Sequence, residues 1–394
     1  MFKMYKTNTN KVTPIENSTK INNYINVNIA DRLKYVIHME ILIGINRIYL
    51  LNCNKVKYWL TQLTVPFLFA LIIYLMIGDT FGRLTFTVLR NTFCLELICF
   101  MFSGSYFQRS KLSDYFRKMG EFDQQLNIKT NTISPRPILS FIWTVGVFII
   151  VACEYVFILG YFNSYSALTI VYLGILAHVW EISFYCNLLD AVLVRIRILK
   201  QQVQKMFSDK ENKIINIIKT NKIEMMNFKS VDISVLHNSY ELLQDISEDL
   251  NSSMSFPMIV MFISSGIVTI VLLNFIFKSL ETNENAMFTT MVSSYAIFLF
   301  LKMSLLLISP CYISNNTYSE VKAIRTILYD ALNCKKEDKL MRRKIKGFYR
   351  QTRDNDFAYV LWGMIRLDMS LPLSYSGLCA TYLVIVLQFS KFFD

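Results

Sequence analysis

Residues 381–389 read TYLVIVLQF, and this stretch decides how the rest of the chain is interpreted. Five apolar residues separate Tyr382 from Gln388, as expected near the end of a helix in hydrocarbon. A side-chain amide is costly in hydrocarbon unless it finds a partner or faces water. The stretch therefore predicts a membrane helix whose Gln388 is either buried against protein or beside an aqueous path.

The composition is typical of a protein with several membrane spans. Of the 394 residues, 53% are hydrophobic and the mean hydropathy is +0.36. Only 18% are charged, whereas soluble proteins carry about 25% charged residues. The charges cluster between long apolar runs. The first 30 residues are rich in Asn, Thr and Lys, which predicts a flexible polar lead and no cleaved signal peptide.

Seven segments are apolar over the length of about 20 residues that a membrane helix needs. They are 58–78, 84–106, 137–160, 167–194, 254–277, 287–309 and 369–390. An eighth segment, RLKYVIHMEILIGINRIYLLN at 32–52, contains Glu40 and Arg47. We predict that it forms an amphipathic helix at the interface or against the bundle. The predicted fold class is therefore an all-α membrane protein with seven transmembrane helices.

The distribution of basic residues predicts the orientation. Of the 41 Lys and Arg residues, 36 lie in segments that seven alternating spans would place on one side of the membrane. The positive-inside rule assigns that side to the cytoplasm. We therefore predict a cytoplasmic N-terminus and an extracellular C-terminus. The net charge of +12 is attributed to these segments and not to nucleic-acid binding.

The basic segments show helical patterns of their own. In TYSEVKAIRTILYDAL, Thr317 and Glu320 have the spacing of a capping box, which predicts that a helix starts there. A further helix is predicted around 340–366, with Phe348 and Trp362 beside basic residues. Helices with apolar stripes outside the bilayer need partners. The sequence therefore predicts a compact cytoplasmic helical layer through which subunits dock.

The last predicted helix has one face of small and polar residues. When 369–390 is placed on a helix, this face carries Ser374, Gly377, Thr381, Val384 and Gln388. The other faces carry Tyr375, Leu378, Tyr382, Ile385 and Phe389. A stripe of small residues is found at dry helix–helix interfaces. The alternative is a water-facing wall that symmetry repeats around an axis.

TYLVIVLQF resembles the signature of insect gustatory receptors, in which Thr-Tyr, five hydrophobic residues and Gln-Phe lie in the last helix. Seven predicted spans, the predicted orientation and a length near 400 residues fit the same family. The resemblance covers the whole chain in architecture, and residues 381–389 match it as a motif. The chain is therefore similar to the insect gustatory receptors, which are related to the insect odorant receptors.

The resemblance implies a tetrameric, ligand-gated, non-selective cation channel. In the family the last helix is split between a cytoplasmic anchor, here about 338–366, and a pore-lining half, here 369–390. Gln388 and Phe389 would lie at the gate and Val384 on the pore wall, while Thr381 and Tyr382 would support the packing. The implied partners are a small-molecule tastant, membrane lipid, and further copies of this chain or other gustatory receptors. The implied location is the plasma membrane of gustatory neuron dendrites.

Four regions follow from these predictions. Residues 1–31 are expected to be a flexible cytoplasmic N-terminus. Residues 32–309 are expected to form a six-helix transmembrane ligand-binding bundle with the amphipathic helix and cytoplasmic extensions. Residues 310–368 are expected to form cytoplasmic anchor helices, and 369–394 to form the pore-lining final helix.

The resemblance places the ligand among the second to sixth spans, towards the outside. Candidate ligand-binding residues are the polar and aromatic side chains at matching positions, because such groups line small-molecule pockets. They are Glu154, Tyr155, Tyr172, His178, Trp180, Glu181, Thr290, Ser294 and Tyr295. The alternative for Glu154 is pairing with another buried polar group to hold the bundle. Arg90, Glu96 and Lys302 are interpreted as charges that pair with one another or reach towards the interface.

Ligand class and protein class remain open at this point. In gustatory receptors for sugars an acidic residue often follows the Tyr of the motif, and here Leu383 stands there. This favours bitter plant compounds, with a fructose-type receptor as the alternative. A G-protein-coupled receptor would need the opposite orientation. The sequence shows no Ser/His/acid grouping for an enzyme, and we expect no cofactor and no metal.

Overall fold

The computed structural model describes residues 33–51, 63, 65–71, 84–128, 146, 149, 151–152, 165–212, 232–281, 286–333, 338–355 and 357–393. Most of these residues are helical, and one short hairpin is the exception. The described chain is therefore an all-α fold, as the sequence predicts.

The helices are numbered in chain order. Their bounds are Lys34–Leu42 (α1), Leu84–Phe102 (α2), Arg109–Gln125 (α3), Tyr165–Asn212 (α4), Ile233–Glu281 (α5), Ala286–Asn333 (α6), Lys339–Asp354 (α7) and Ser370–Phe393 (α8). A 3-10 turn spans Ile48–Leu50, and a π-helical turn at Ser103–Phe107 links α2 to α3. Strands Val360–Leu361 (β1) and Ile365–Arg366 (β2) pair antiparallel between α7 and α8.

Helices α4, α5 and α6 are far longer than a bilayer is thick. They have 48, 49 and 48 residues. At 1.5 Å per residue each is about 72 Å long, whereas the hydrocarbon core is about 30 Å thick. Each is therefore long enough to contain a membrane span and a long extension beyond it. The three pack against one another, α2 and α3 pack on their surface, and α8 packs on α5 and α6.

The predicted spans are represented unequally in the described residues. Spans 84–106, 167–194, 254–277, 287–309 and 369–390 fall on helices. Span 58–78 is described only in part, and nearly all of 137–160 lies outside the described residues. By length and composition, Ile233–Phe277 and Ile297–Asn333 are long and apolar enough to cross a membrane, and Ser370–Ile385 is a shorter apolar helix.

The predicted helix start at Thr317 is wrong. Helix α6 runs without a break from Ala286 to Asn333, and Pro310 lies inside it. The Thr317 hydroxyl donates to the carbonyl of Ile313 at 3.0 Å, one turn back in the same helix. Glu320 instead forms ion pairs with Arg197 (3.0 Å) and Lys200 on α4. Extending a formed helix costs less than nucleating a new one, so the box spacing does not start a helix here.

The predicted helix at 340–366 is wrong beyond residue 354. Helix α7 ends at Asp354, and the chain then forms the β1–β2 hairpin. At its tip Trp362 has φ 49° and Gly363 has φ 69°. The helix stops because Asn355 adopts extended backbone, with φ −130° and ψ 109°, and Gly readily adopts the positive φ that the tip requires at 363. Leu361 is buried, so the hairpin contributes to the core.

The extensions outside the span form a packed helical layer. Phe348 of α7 is fully buried, and its ring lies 5.5 Å from that of Tyr240 on α5. The Tyr240 hydroxyl donates to the Asn355 carbonyl at 2.7 Å. Arg325 of α6 donates from Nε to the Thr352 carbonyl at 3.1 Å. The layer therefore connects α5, α6 and α7 directly to the segment that leads into α8.

Candidate functional site

In the described side chains of α8, burial against the rest of the chain follows one narrow stripe. Leu371 and Tyr375 are half-buried, and Cys379 and Leu383 are buried. These four residues are spaced four apart, so they lie along one side of the helix. They pack against α5 and α6. Among the described side chains of α8, this stripe provides the attachment to the rest of the single chain.

The opposite side of α8 is exposed and is the predicted small and polar face. Gln388 is nine positions after Cys379, which at 3.6 residues per turn places the two about 180° apart. Its members are Ser374, Gly377, Thr381, Val384 and Gln388, and all are exposed. The Thr381 hydroxyl donates to the Gly377 carbonyl at 3.0 Å. The amide of Gln388 is therefore presented to whatever covers this face.

The flanks of that face are apolar and exposed as well. Leu378 is 57% exposed, Tyr382 50% and Ile385 39%. The side chain of Phe389 lies outside the described residues. Aromatic and aliphatic flanks around a polar stripe suit a helix that meets lipid on its sides and another surface at its centre.

Asp368 fixes the start of α8. Its carboxylate accepts a hydrogen bond from the backbone N–H of Ser370 at 2.9 Å and another from the Ser370 hydroxyl at 2.5 Å. These hydrogen bonds from Ser370 hold the pKa of Asp368 below its ordinary value. A carboxylate at the first turn also complements the helix dipole. The last helix thus begins at a defined residue directly after the hairpin.

Arg47 lies at the centre of a buried charged cluster. Its Nη1 donates to Glu40 Oε1 at 2.8 Å and to Glu181 Oε2 at 2.9 Å, and its Nη2 contacts Glu181 Oε1. Nη2 also donates to Gln108 Oε1 at 2.9 Å. Its guanidinium carbon lies 4.1 Å from the centre of the Phe184 ring, a cation–π contact. Arg47, Glu40 and Glu181 are 0% exposed.

Two glycines allow the segment at 33–51 to reach this cluster. Gly44 follows α1 with φ 91°, a conformation that favours Gly. A Cβ on Gly104 would lie 2.6 Å from Ile45 Cγ2, so the π-helical turn must present Gly there. Gln108, just after that turn, donates to the Ser103 hydroxyl at 2.6 Å. The amphipathic segment therefore packs against the bundle, the second of its two predicted positions.

A second group of buried polar side chains, the polar chain Glu96–His178–Ser265, links three helices. Glu96 of α2, His178 of α4 and Ser265 of α5 are each at most 2% exposed. His178 Nδ1 lies 2.5 Å from Glu96 Oε1, and Ser265 Oγ lies 3.4 Å from His178 Nε2. With Nδ1 protonated, the imidazole donates to the carboxylate and accepts from the hydroxyl. The interpretation of Glu96 as a partner of Arg90 or Lys302 is replaced by this pairing with His178.

Glu96, His178 and Ser265 form a Ser/His/acid grouping, so the prediction that there is none is wrong. The three residues are 82 and 87 positions apart in sequence, so only folding reveals them. The order hydroxyl, imidazole, carboxylate is that of a hydrolytic triad. All three side chains are buried, so a substrate has no access to them in this conformation.

The predicted ligand-binding residues have different surroundings. Tyr172 and Trp180 are buried, His178 is paired with Glu96, and both oxygens of Glu181 contact Arg47. Ser294 is exposed. The side chains of Thr290 and Tyr295, and the whole of Glu154 and Tyr155, lie outside the described residues. In the described part of the chain, no three His, Cys, Asp or Glu side chains are placed to hold a metal ion.

Comparison with known proteins decides the family. The family model of the 7tm chemosensory receptors matches residues 34–393, nearly the whole chain. The chain belongs to the 7tm chemosensory receptor family. It is thus a membrane receptor of the insect chemosensory class, which is not a family of enzymes. The predicted family resemblance is confirmed at this level.

One solved structure of another protein supports the fold of the receptor. The insect olfactory receptor OR5 from Machilis hrabei in complex with eugenol aligns with a TM-score of 0.55 and 12% identity. The alignment covers 91% of this receptor and 99% of that chain. OR5 from the same organism, in the structure whose title names no ligand, aligns with a TM-score of 0.47, 12% identity and the same coverage. No curated protein sequence matches the receptor.

Proposed function

We propose that this protein is an insect gustatory receptor that acts as a tastant-gated, non-selective cation channel. The observation that carries the proposal is the pattern of burial and exposure around the last helix, α8. One stripe attaches α8 to its own chain, while the opposite face exposes Gly377, Thr381 and Gln388. An unpaired amide facing lipid would be costly. The same face repeated around a central aqueous axis would leave the amide hydrated.

The pore of the proposed channel is formed by four copies of α8. Thr381, Val384 and Gln388 face the axis, with Gln388 and Phe389 at the outer constriction. Tyr382 lies on the flank, where it packs against a neighbouring copy. The helical layer around α7 supplies the contacts that hold a homotetramer, or a mixed tetramer with other gustatory receptors.

The proposed orientation has the N-terminus in the cytoplasm and the C-terminus outside the plasma membrane. The 36 Lys and Arg residues in the alternating segments support it through the positive-inside rule. With seven spans, the extensions of α4, α5 and α6 then form a cytoplasmic anchor. Gustatory neuron dendrites are the proposed location.

The proposed ligand pocket lies on the outer side of the bundle. Its proposed members are Glu154, Tyr155, Tyr172, Thr290, Ser294 and Tyr295, with His178, Trp180 and Glu181 as its floor. The floor residues are buried and two of them are paired with protein groups, so they give the pocket a rigid base. A small organic tastant fits a site with aromatic walls and few polar groups.

A bitter plant compound is the proposed ligand class, with a fructose-type receptor as the alternative. Leu383, which stands where sugar receptors often carry an acid, is 9% exposed and belongs to the stripe that packs α8. An acidic side chain there would be buried against α5 and α6. In this chain, the side chain at position 383 therefore serves to pack α8 against α5 and α6.

The orientation separates the proposed channel from a G-protein-coupled receptor. An epitope tag placed after Asp394 is expected to be labelled on intact cells, because an odd number of spans puts the two ends on opposite sides. The same tag placed after Met1 is the matched control and is expected to require permeabilisation. Labelling of the C-terminal tag only after permeabilisation, with the receptor at the cell surface, would overturn the proposal.

A further inference from the structure

The polar chain Glu96–His178–Ser265 lies beside the part of α5 on which the last helix packs. Residue Gly266, next to Ser265, faces α8: a Cβ at Gly266 would lie 3.5 Å from the Tyr375 hydroxyl oxygen. One turn earlier, the ring of Phe262 lies 6.2 Å from the ring of Tyr375. Tyr375 is one of the four residues in the stripe that attaches α8. One short segment of α5 thus touches the polar chain on one side and the last helix on another.

The polar chain determines where that segment of α5 can lie. In a low-dielectric interior, a hydroxyl, an imidazole and a carboxylate that lose their partners are strongly disfavoured. Glu96 on α2 and His178 on α4 therefore favour the position of Ser265 on α5 in which the hydrogen bond is made. His178 is six positions from Tyr172 on the same helix, and Tyr172 is a proposed member of the ligand pocket. A displacement of α4 at the pocket would act on Ser265 through this hydrogen bond.

We propose that Glu96, His178 and Ser265 are positioning residues that set the packing of α5 against Tyr375 and so bias the last helix between closed and open arrangements. A hydrogen bond of 3.4 Å between Ser265 and His178 is long enough to break and re-form as the helices shift. A ligand changes such an equilibrium only through its different affinities for the two arrangements. The part of this proposal that concerns opening rests on the proposed channel function, whereas the packing part does not.

The packing part is tested with Ser265→Ala and its neighbour Ser264→Ala. Both serines are buried, but the Ser264 hydroxyl donates to the Met261 carbonyl of its own helix at 3.1 Å. The probe is N-ethylmaleimide, which alkylates the free thiol of Cys379, one turn beyond Tyr375 in the same stripe. Peptide mass spectrometry of the full-length protein in membranes follows alkylation at this residue alone.

Ser265→Ala is expected to raise the alkylation rate of Cys379 by about fivefold. This is the factor by which the equilibrium that exposes Cys379 changes when one hydrogen bond is lost. Ser264→Ala is expected to leave the rate within about twofold of wild type, because its bond is local to α5. Ser265→Thr keeps the hydroxyl and is expected to restore the wild-type rate. Equal rates for the two alanine variants, whether raised or unchanged, would overturn the proposal.

Currents distinguish this proposal from the proposed function. In oocytes without added ligand, Ser265→Ala is expected to change the open fraction while the unitary conductance stays at the wild-type value. A changed conductance would overturn the positioning role, because it would place Ser265 on the pore. A raised alkylation rate, with no current from any variant under ligand-free conditions or with caffeine, quinine or denatonium, would support the packing role and contradict the channel function instead.

Discussion

Replacing Arg47 with leucine is expected to remove most of the folded receptor from the cell surface. The substitution leaves Glu40 and Glu181, both 0% exposed, without their cation. Removing one partner of a buried ion pair costs about 3–5 kcal/mol. That is a large share of a typical free energy of unfolding, about 5–15 kcal/mol. Surface biotinylation and size-exclusion chromatography of a fluorescent fusion measure the loss.

Two further variants make this result specific to the buried charges. Arg117→Leu is the matched control, because Arg117 pairs with Asp114 and Glu121 at 44% exposure and such pairs contribute less than about 1 kcal/mol. Adding Glu40→Gln and Glu181→Gln to Arg47→Leu removes both uncompensated carboxylates and is expected to recover much of the folded protein. If Arg47→Leu behaved like Arg117→Leu, the cluster would have no structural role.

Replacing Gln388 with alanine is expected to change the unitary conductance or the preference among cations, with surface expression unchanged. The amide lies on the exposed face of α8, opposite the packing stripe, so its loss leaves that stripe intact. At a narrow constriction the size and dipole of such a side chain influence ion passage directly. Single-channel currents in oocytes measure this effect, with caffeine, quinine or denatonium as the test agonists or in ligand-free openings.

Ser376→Ala is the matched control for Gln388→Ala. Ser376 is also exposed and polar, but its hydroxyl donates to the Pro372 carbonyl at 2.8 Å. It lies about 120° around the helix from Gln388. The unitary conductance and reversal potential of the Ser376→Ala variant are expected to equal those of the wild type. If Gln388→Ala gave the same values as Ser376→Ala, Gln388 would not line a pore.

Local sequence patterns predicted much of the helical framework. Val321, Ile324 and Leu328 have the spacing of one apolar helix face in the sequence, and on α6 all three are fully buried. The small and polar face of 369–390 was predicted from residue spacing, and it is the exposed face of α8. Both predictions depend only on the 3.6-residue period of one helix. They need no knowledge of which helices meet.

The interactions that link different helices were not predictable in this way. Arg47 and Glu181 are 134 positions apart, and His178 and Ser265 are 87 apart. A lone Arg in an apolar segment signals that a buried partner exists, but it does not identify that partner. The Thr317 and Glu320 pattern failed for the opposite reason. The local signal was present, but an unbroken helix and ion pairs to α4 outweighed it.

Electron cryomicroscopy of the purified full-length receptor tests the proposed pore most directly. Four copies are predicted around one axis, with Gly377, Thr381 and Gln388 of each copy facing a central aqueous path and the Tyr375–Cys379 stripe facing away from it. A monomer, or an assembly in which Gln388 faces lipid or a dry contact between helices, would contradict a pore lined by the last helix.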